Sequence, residues 1–131
     1  MNKFRYVYQN YVFKKDFSLY YFTLVEIEEG AIERINKSGM RGNGYICIAK
    51  NRYTELQDKN GKEIYEGDIV KIKGTYIGDN YIQSYNAQVI FENGSFNITG
   101  EASFDTLSVN TYYWEVIGNI YENKELLKWK S

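Results

Sequence analysis

The chain has 131 residues, of which 44% are apolar and 18% aromatic, and its formal net charge is −1. This length fits one compact domain, or a small domain with an N-terminal elaboration, and excludes two large domains. The near balance of charge excludes a broad basic field for nucleic acid or anionic membranes. The 14 tyrosines favour the half-buried surfaces of β-sheets, so composition predicts a β-rich protein.

The residue types that most catalytic sites need are scarce. The sequence has no histidine and one cysteine, which excludes Ser-His and Cys-His nucleophile pairs, imidazole metal ligands and a thiolate zinc site. We therefore expect no enzyme activity, no cofactor and no bound metal. Cys47 lies in an apolar segment and is predicted to be a small buried group.

No signal peptide precedes the first strand pattern, and no apolar run approaches the ~18 residues of a spanning helix. A reducing, cytosolic location without membrane contact is the expectation. Charge differs between the two parts of the chain, with a net charge of +4 over residues 1–52 and −5 over residues 53–131. Two interpretations of this charge difference stay open. The first is ordinary solvated faces, and the second is a functional asymmetry, in the form of head-to-tail self-association or a basic N-terminal contact surface.

The first elements predicted are strands. The pattern from Phe4 to Phe22 is strand-like: Phe4, Tyr6 and Tyr8 alternate with their neighbours, and a polar turn at 14–16 separates two apolar segments, which indicates two or three antiparallel strands. Thr23 and Glu26 then have the spacing of a capping box, and Gly30 supplies a C-terminal stop. These signals predict a short helix near residues 24–29.

Residues 36–44 are dense in glycine and polar side chains and are predicted to form a flexible loop. The three glycines do not indicate a phosphate-binding loop, because that motif continues with Lys and Ser or Thr at the mouth of a helix. Here an apolar strand at 45–49 follows instead.

Turn residues divide the middle of the chain. Asp58 to Gly61 ends in Asn-Gly and predicts a tight turn, residues 66–68 predict a second one, and residues 69–73 read as a strand. A two-residue turn at Asn93-Gly94 would place Phe91 opposite Phe96 and Val89 opposite Ile98. Turn chemistry and side-chain alternation select the same register there.

The C-terminal part is predicted to contain an exposed connection at 100–111 and a strand at 112–121 that bends at Gly118. Asn123 is predicted to cap a short helix near 123–128. Leu126, Leu127 and Trp129 are expected to cover one open end of a small barrel.

Three segments resemble the YopX family of phage and prophage proteins. They are YTELQDKNGKEIYEGDIV at 53–70, VIFENG at 89–94, and EVIGNIYEN at 115–123 with Glu125 to Leu127. The opening Lys3 to Arg5 is also similar to the family's usual start. The chain departs from the family pattern at Glu55, where a small residue is common, and at Lys124, where proline is usual.

The resemblance implies a phage-encoded or prophage-encoded protein in the cytoplasm of a bacterial host, and it transfers no catalytic or ligand residues. We predict a mainly β, antiparallel fold. Residues 1–52 would form a hairpin and short-helix elaboration, and residues 53–131 a YopX-like region with a small SH3-like barrel, the latter by analogy.

Carboxylates are the remaining catalytic candidates. Glu63, Glu66 and Asp68 are close in sequence, and paired carboxylates can hydrolyse glycosides or hold a divalent cation. Asp68 follows Gly67, however, and is explained more simply as a turn residue whose carboxylate accepts backbone amides.

The function expected is a non-enzymatic interaction protein that binds a host or phage protein, with homo-oligomer formation left open. The alternatives are a weak nucleic-acid-binding module that uses the basic, aromatic N-terminal region, and a module that holds a small ligand in a Tyr-lined pocket. The candidate surface residues are Tyr76, Tyr81, Tyr85, Arg5, Lys14, Lys15 and Arg41.

Overall fold

The structure, a computed structural model, describes residues 2–37, 39, 42–73, 75–82, 84–100, 111 and 114–127. Contacts divide the chain into an N-terminal unit, Met1–Tyr53, and a C-terminal unit, Thr54–Ser131. The predicted exposed connection at 100–111 lies largely outside the described residues, as do Arg41 and Trp129.

The described chain is mainly β, and the paired strands in its sheets are antiparallel, which confirms the predicted fold class. The strands occupy two four-stranded sheets and one two-stranded sheet, in the orders β2-β1-β3-β4, β10-β5-β8-β9 and β6-β7. The elements are β1 Lys3–Asn10, β2 Phe17–Thr23, α1 Leu24–Glu28, α2 Ala31–Lys37, β3 Tyr45–Gln57, β4 Glu63–Tyr65, β5 Asp68–Ile72, β6 Thr75–Ile77, β7 Asn80–Ile82, β8 Tyr85–Glu92, β9 Ser95–Gly100, β10 Trp114–Asn119 and a 3₁₀ helix at Lys124–Leu127. Over the described residues these sheets are open, and the predicted SH3-like barrel is not seen.

The N-terminal unit is built on β1, which pairs with β2 on one side and β3 on the other. One sheet face carries aromatic side chains, with Tyr8 and Tyr20 packed edge to face at a centroid distance of 5.7 Å. Ile35 of α2 packs with the buried Tyr8 on this face. We call it the aromatic face, and its rings come from Phe4, Tyr6, Tyr8, Tyr20, Phe22 and Tyr45.

The helix α1 begins as predicted. The Thr23 hydroxyl accepts from the Glu26 amide at 3.1 Å, and the Glu26 carboxylate accepts from the Thr23 amide at 2.9 Å. The second helix, α2, was not predicted, since Gly30 was interpreted only as a stop. Gly30 has a φ of 94°, and its carbonyl accepts from the Arg34 amide, so the chain turns there and enters α2. The predicted loop at 36–44 therefore begins two residues too early.

The C-terminal unit has a core of buried aliphatic side chains around Trp114. The β8–β9 hairpin has the predicted register, with Phe91 opposite Phe96 and Val89 opposite Ile98. Asn93 and Gly94 have φ values of 53° and 81°, as a two-residue type I′ turn requires. Val89 and Ile98 are buried, so this hairpin supplies part of the core.

Strand β10 shifts register against β5 between Val116 and Gly118, which confirms the predicted irregularity at the glycine. A Cβ at Gly118 would lie 2.6 Å from Cγ of Asn123, so the site requires glycine. Asn123 does not have the predicted capping role. Its side-chain oxygen accepts from the Asn119 amide at 3.1 Å, which closes a turn before the 3₁₀ helix.

Candidate interaction surface

Two of the three clustered carboxylates, Glu63 and Asp68, accept hydrogen bonds from Tyr65. One Asp68 carboxylate oxygen accepts from the Tyr65 amide at 2.8 Å, and the side chain is buried, as the turn interpretation predicts. Glu63 accepts from the Tyr65 hydroxyl at 3.0 Å. Over the part of the chain that the structure describes, no group of three acidic, histidine or cysteine side chains is placed to hold a metal ion.

Two of the predicted surface residues, Arg5 and Tyr85, are buried. Arg5 is 3% exposed, and its Nε donates to Oδ1 of Asn51 at 2.8 Å, so the guanidinium lies in the interior. Tyr85 belongs to the core of the C-terminal unit, where burial raises its pKa. Neither side chain is available to a surface partner.

Other candidates remain at the surface. Lys14 and Lys15 are exposed in the turn between β1 and β2, and Tyr81 is exposed on β7. Tyr76 pairs with Tyr81 through the backbone of β6, and its side chain lies outside the described part of the structure, as does all of Arg41. The candidates whose side chains are described and exposed are therefore Lys14 and Lys15 in the N-terminal unit and Tyr81 in the C-terminal unit.

The most unusual surface is an edge of β3. Among the described residues, the three-residue β4 is the strand on the second side of β3, and no strand pairs with that side between Tyr45 and Lys50. Three consecutive residues there, Ile46, Cys47 and Ile48, are all exposed, the two isoleucines by 44% and 39%. We call Tyr45–Lys50 the open edge.

A β-bulge lies within the open edge and determines which face Cys47 occupies. Val7 pairs with Ala49 and Tyr8 pairs with Cys47, so Ile48 is the extra residue on β3. The bulge places Cys47 on the same face as Tyr8, because directly paired residues share a face. The prediction that Cys47 is buried is wrong, although partial desolvation raises the pKa of its thiol.

Exposed apolar side chains continue into the β1–β2 turn at the same end of the sheet. The Asn10 side chain accepts from the Val12 and Phe13 amides, each at 2.9 Å, which holds the turn in shape. The Tyr11 amide donates to the Gly44 carbonyl at 2.8 Å, so the turn lies beside the start of β3. Tyr11, Val12 and Phe13 are more than half exposed and immediately precede Lys14 and Lys15.

Tyr45 anchors the beginning of the open edge. Its hydroxyl donates to the Asp16 carboxylate, and this hydrogen bond raises the pKa of Tyr45. The Asp16 carbonyl also accepts from the Asn10 amide at 2.9 Å, and this hydrogen bond closes the turn between β1 and β2. Side-chain and backbone hydrogen bonds thus connect the β1–β2 turn to the start of the open edge.

A cavity of about 300 Å³ lies between α2 and the aromatic face. It is lined by Tyr6, Tyr8, Ile32, Asn36, Ile46 and Cys47. Lys50 lies nearby on the same face, with its Nζ 4.4 Å from the ring centroid of Phe4 and 5.7 Å from that of Tyr6. Among the described residues, no carboxylate forms an ion pair with Lys50.

Sequence reasoning missed the open edge and the cavity. The lack of a strand partner depends on where β4 ends, and the exposure of Cys47 depends on a bulge. A signal was present in the sequence, since Ile46, Cys47 and Ile48 form an apolar run beside basic residues. An apolar run alone does not distinguish a buried strand from an exposed edge.

Comparison with protein families matches residues 7–128 to the family described as YopX protein. This match covers nearly the whole chain, and the chain therefore belongs to the YopX family. Comparison with curated proteins finds no match.

Among solved structures, the chain is similar to "Crystal structure of protein EF1440 from Enterococcus faecalis". The two chains are 24% identical, the similarity covers 86% of this chain and 69% of the other, and the TM-score is 0.45. No helix in the described ranges has the length and apolar character needed to cross a membrane.

Proposed function

We propose that this protein is a non-enzymatic interaction protein that binds an extended segment of a partner protein along the open edge of β3. The observation that carries the proposal is the exposure of Ile46, Cys47 and Ile48 on a strand segment that no described strand pairs on that side. An edge strand presents unpaired backbone donors and acceptors, and an incoming strand satisfies them. Apolar side chains on both strands then add affinity.

The surrounding charge favours an acidic partner. The N-terminal unit has a net charge of +4, and Lys14 and Lys15 are exposed in the turn that adjoins the edge. A second copy that used the same edge would bring two basic units together, which like-charge repulsion opposes. An acidic segment gains attraction from the same groups.

The hydrogen bonds of two buried aspartates support the non-enzymatic part of the proposal. Asp58 accepts three backbone hydrogen bonds and is buried, and Asp68 is buried beneath its own turn. A carboxylate held by amides in a turn is a structural group, not one placed to reach a substrate.

The nucleic-acid alternative is less well supported. It relied on the basic, aromatic N-terminal region, and Arg5 of that region is buried against Asn51. Exposed cations with aromatic rings remain at Lys14, Lys15 and Lys50, so DNA binding belongs in the test of the proposal.

Membership of the YopX family supports a phage or prophage origin. We propose on that basis that the protein acts in the cytoplasm of a bacterial host and that its partner is a host or phage protein.

Two fluorescent peptides test the proposal directly. One alternates Glu and Val over eight residues, and the other alternates Lys and Val, so they carry opposite charges in the same alternating pattern. We expect the acidic peptide to bind at least about tenfold more tightly in a fluorescence anisotropy titration.

The variant Ile48→Lys separates edge binding from charge attraction. It adds a positive charge, so electrostatics alone would strengthen binding of the acidic peptide, whereas blocking of the edge weakens it by about tenfold. Val25→Lys is the matched control, since Val25 is 60% exposed on α1. Tighter binding by Ile48→Lys, or salt-dependent DNA binding without peptide binding, would overturn the proposal.

A further inference from the structure

The cavity beneath α2 opens beside the surface where the partner segment is proposed to bind. Ile46 and Cys47 belong both to the open edge and to the cavity lining. The opposite wall comes from Ile32 and Asn36 of α2, and the floor from Tyr6 and Tyr8 of β1. A strand added along the edge therefore passes next to the cavity.

The lining has a mixed chemistry. Aromatic and aliphatic groups dominate, and among the described lining residues the Asn36 amide is the one polar side chain other than the two tyrosines and the thiol. The volume, about 300 Å³, is at the lower limit of ligand pockets, which range from about 300 to 1,000 Å³. A compact aromatic group suits such a site, because rings pack edge to face on Tyr6 and Tyr8.

We infer that the cavity receives an aromatic side chain of the partner segment, and that Lys50 pairs with an acidic side chain two residues away from it. This inference rests on the proposed function and specifies the partner's sequence. A segment that adds to an edge gains affinity from its backbone and specificity from pockets that take alternate side chains.

The spacing follows from the register of β3. Cys47 is paired with Tyr8 and Lys50 with Tyr6, so both point to the aromatic face, and the bulge at Ile48 accounts for their separation of three residues. In a regular added strand, residues that share a face are two apart. The partner residue that faces Cys47 is thus the aromatic one, and its same-face neighbour towards Lys50 is acidic.

The position of the Lys50 ammonium favours an ion pair with an incoming carboxylate. It lies over the Phe4 and Tyr6 rings at 4.4 and 5.7 Å from their centroids, which holds the side chain across the sheet. Since no described carboxylate pairs with it, an incoming acid displaces no existing ion pair among these residues.

Two isomeric peptides test the inference. The first, Glu-Val-Phe-Val-Glu-Val-Glu-Val, places Phe and Glu on one face; the second, Glu-Val-Val-Phe-Glu-Val-Glu-Val, has the same composition with Phe on the other face. We expect the first to bind about tenfold more tightly, because the second cannot fill the cavity and reach Lys50 in one register. Lys50→Gln should remove most of this difference.

Cys47 reports on the cavity without any substitution, since it is the one cysteine of the chain. We expect the first peptide, at saturation, to slow alkylation of Cys47 by iodoacetamide at least about tenfold, measured by intact mass, and the second peptide to slow it less. Cys47→Phe should fill the cavity and weaken binding of the first peptide about tenfold, while Val25→Phe, at the exposed position on α1 that serves as the control above, leaves that binding unchanged.

The outcomes separate this inference from the proposed function. Equal binding of both isomers, with loss of both in Ile48→Lys, overturns the cavity assignment and leaves edge binding intact. If Ile48→Lys does not weaken binding of the isomers, or if neither isomer binds, both the cavity assignment and the proposed edge binding are overturned. If Cys47→Phe does not fold, unchanged alkylation of Cys47 at saturating first peptide still overturns the cavity assignment.

Discussion

Glu55 lies in the left-handed region of backbone conformation, with a φ of 70°. The neighbouring Thr54 hydroxyl donates to the Ile64 carbonyl at 2.7 Å and accepts from the Leu56 amide at 3.1 Å, so the bend is fixed on both sides. A non-glycine residue there is strained by about 1–2 kcal/mol.

We expect Glu55→Gly to stabilise the protein by about 0.5–1 kcal/mol. Glycine removes the strain of the left-handed conformation, and the gain is reduced by its greater freedom in the unfolded chain. Glu55→Ala is the control, because alanine removes the carboxylate and keeps the strain. Urea unfolding measures both, and a Glu55→Gly variant no more stable than Glu55→Ala would contradict the account.

In the turn between β3 and β4, the Asp58 side chain connects the turn to β10. Oδ1 of Asp58 accepts from the Asn60 and Lys62 amides at 2.8 and 3.0 Å, and Oδ2 accepts from the Val116 amide of β10 at 2.9 Å. The positive φ of the turn falls on Gly61, at 80°. Asp58 thus closes the turn and holds it to a strand 58 residues further along the chain.

Asp58→Ala should destabilise the C-terminal unit by about 3 kcal/mol, because it leaves three backbone amides without their acceptor. Asp79→Ala is a suitable control, since Asp79 is an exposed turn residue, and we expect a change within about 0.5 kcal/mol. Equilibrium unfolding in urea, followed by Trp fluorescence, measures the difference. Equal stability of the two variants would show that Asp58 does not hold the turn.

Local chemistry made several elements predictable. The Asn93-Gly94 turn and its alternating neighbours predict one register, and the capping box of Thr23 and Glu26 marks the start of α1. The helix α2 was not predictable in the same way, because its Gly30 is equally typical of a helix stop. The Asn123 side chain formed a turn bond with the Asn119 amide where a helix cap was predicted.

At the scale of the whole molecule, β3 is the element on which the proposed function depends. Its first part pairs with β1 in the N-terminal unit, and the strand continues past Tyr53 into the C-terminal unit. The open edge exists because β4 has only three residues, and this length cannot be read from the apolar pattern of Ile46 to Ile48. The apolar pattern likewise predicts Cys47 in a core, but the bulge at Ile48 places it at a surface.

Charge and exposure are the two observations at this scale that support the proposed acidic partner. The sequence predicted a basic N-terminal contact surface as one of two interpretations, and Lys14 and Lys15 are exposed beside the open edge. Arg5 shows the limit of such reasoning, since a buried hydrogen bond to Asn51 removes it from the surface. Which cations are exposed is decided by tertiary packing, which local sequence does not specify.

Amide hydrogen exchange of the protein with the Glu-Val peptide tests strand addition to β3 most directly. We predict that bound peptide slows exchange at least about tenfold within Tyr45–Lys50, that amides of the β8–β9 hairpin are unaffected, and that Ile48→Lys abolishes the slowing. Peptide binding that protects other segments and leaves the amides of Tyr45–Lys50 unchanged would contradict the account.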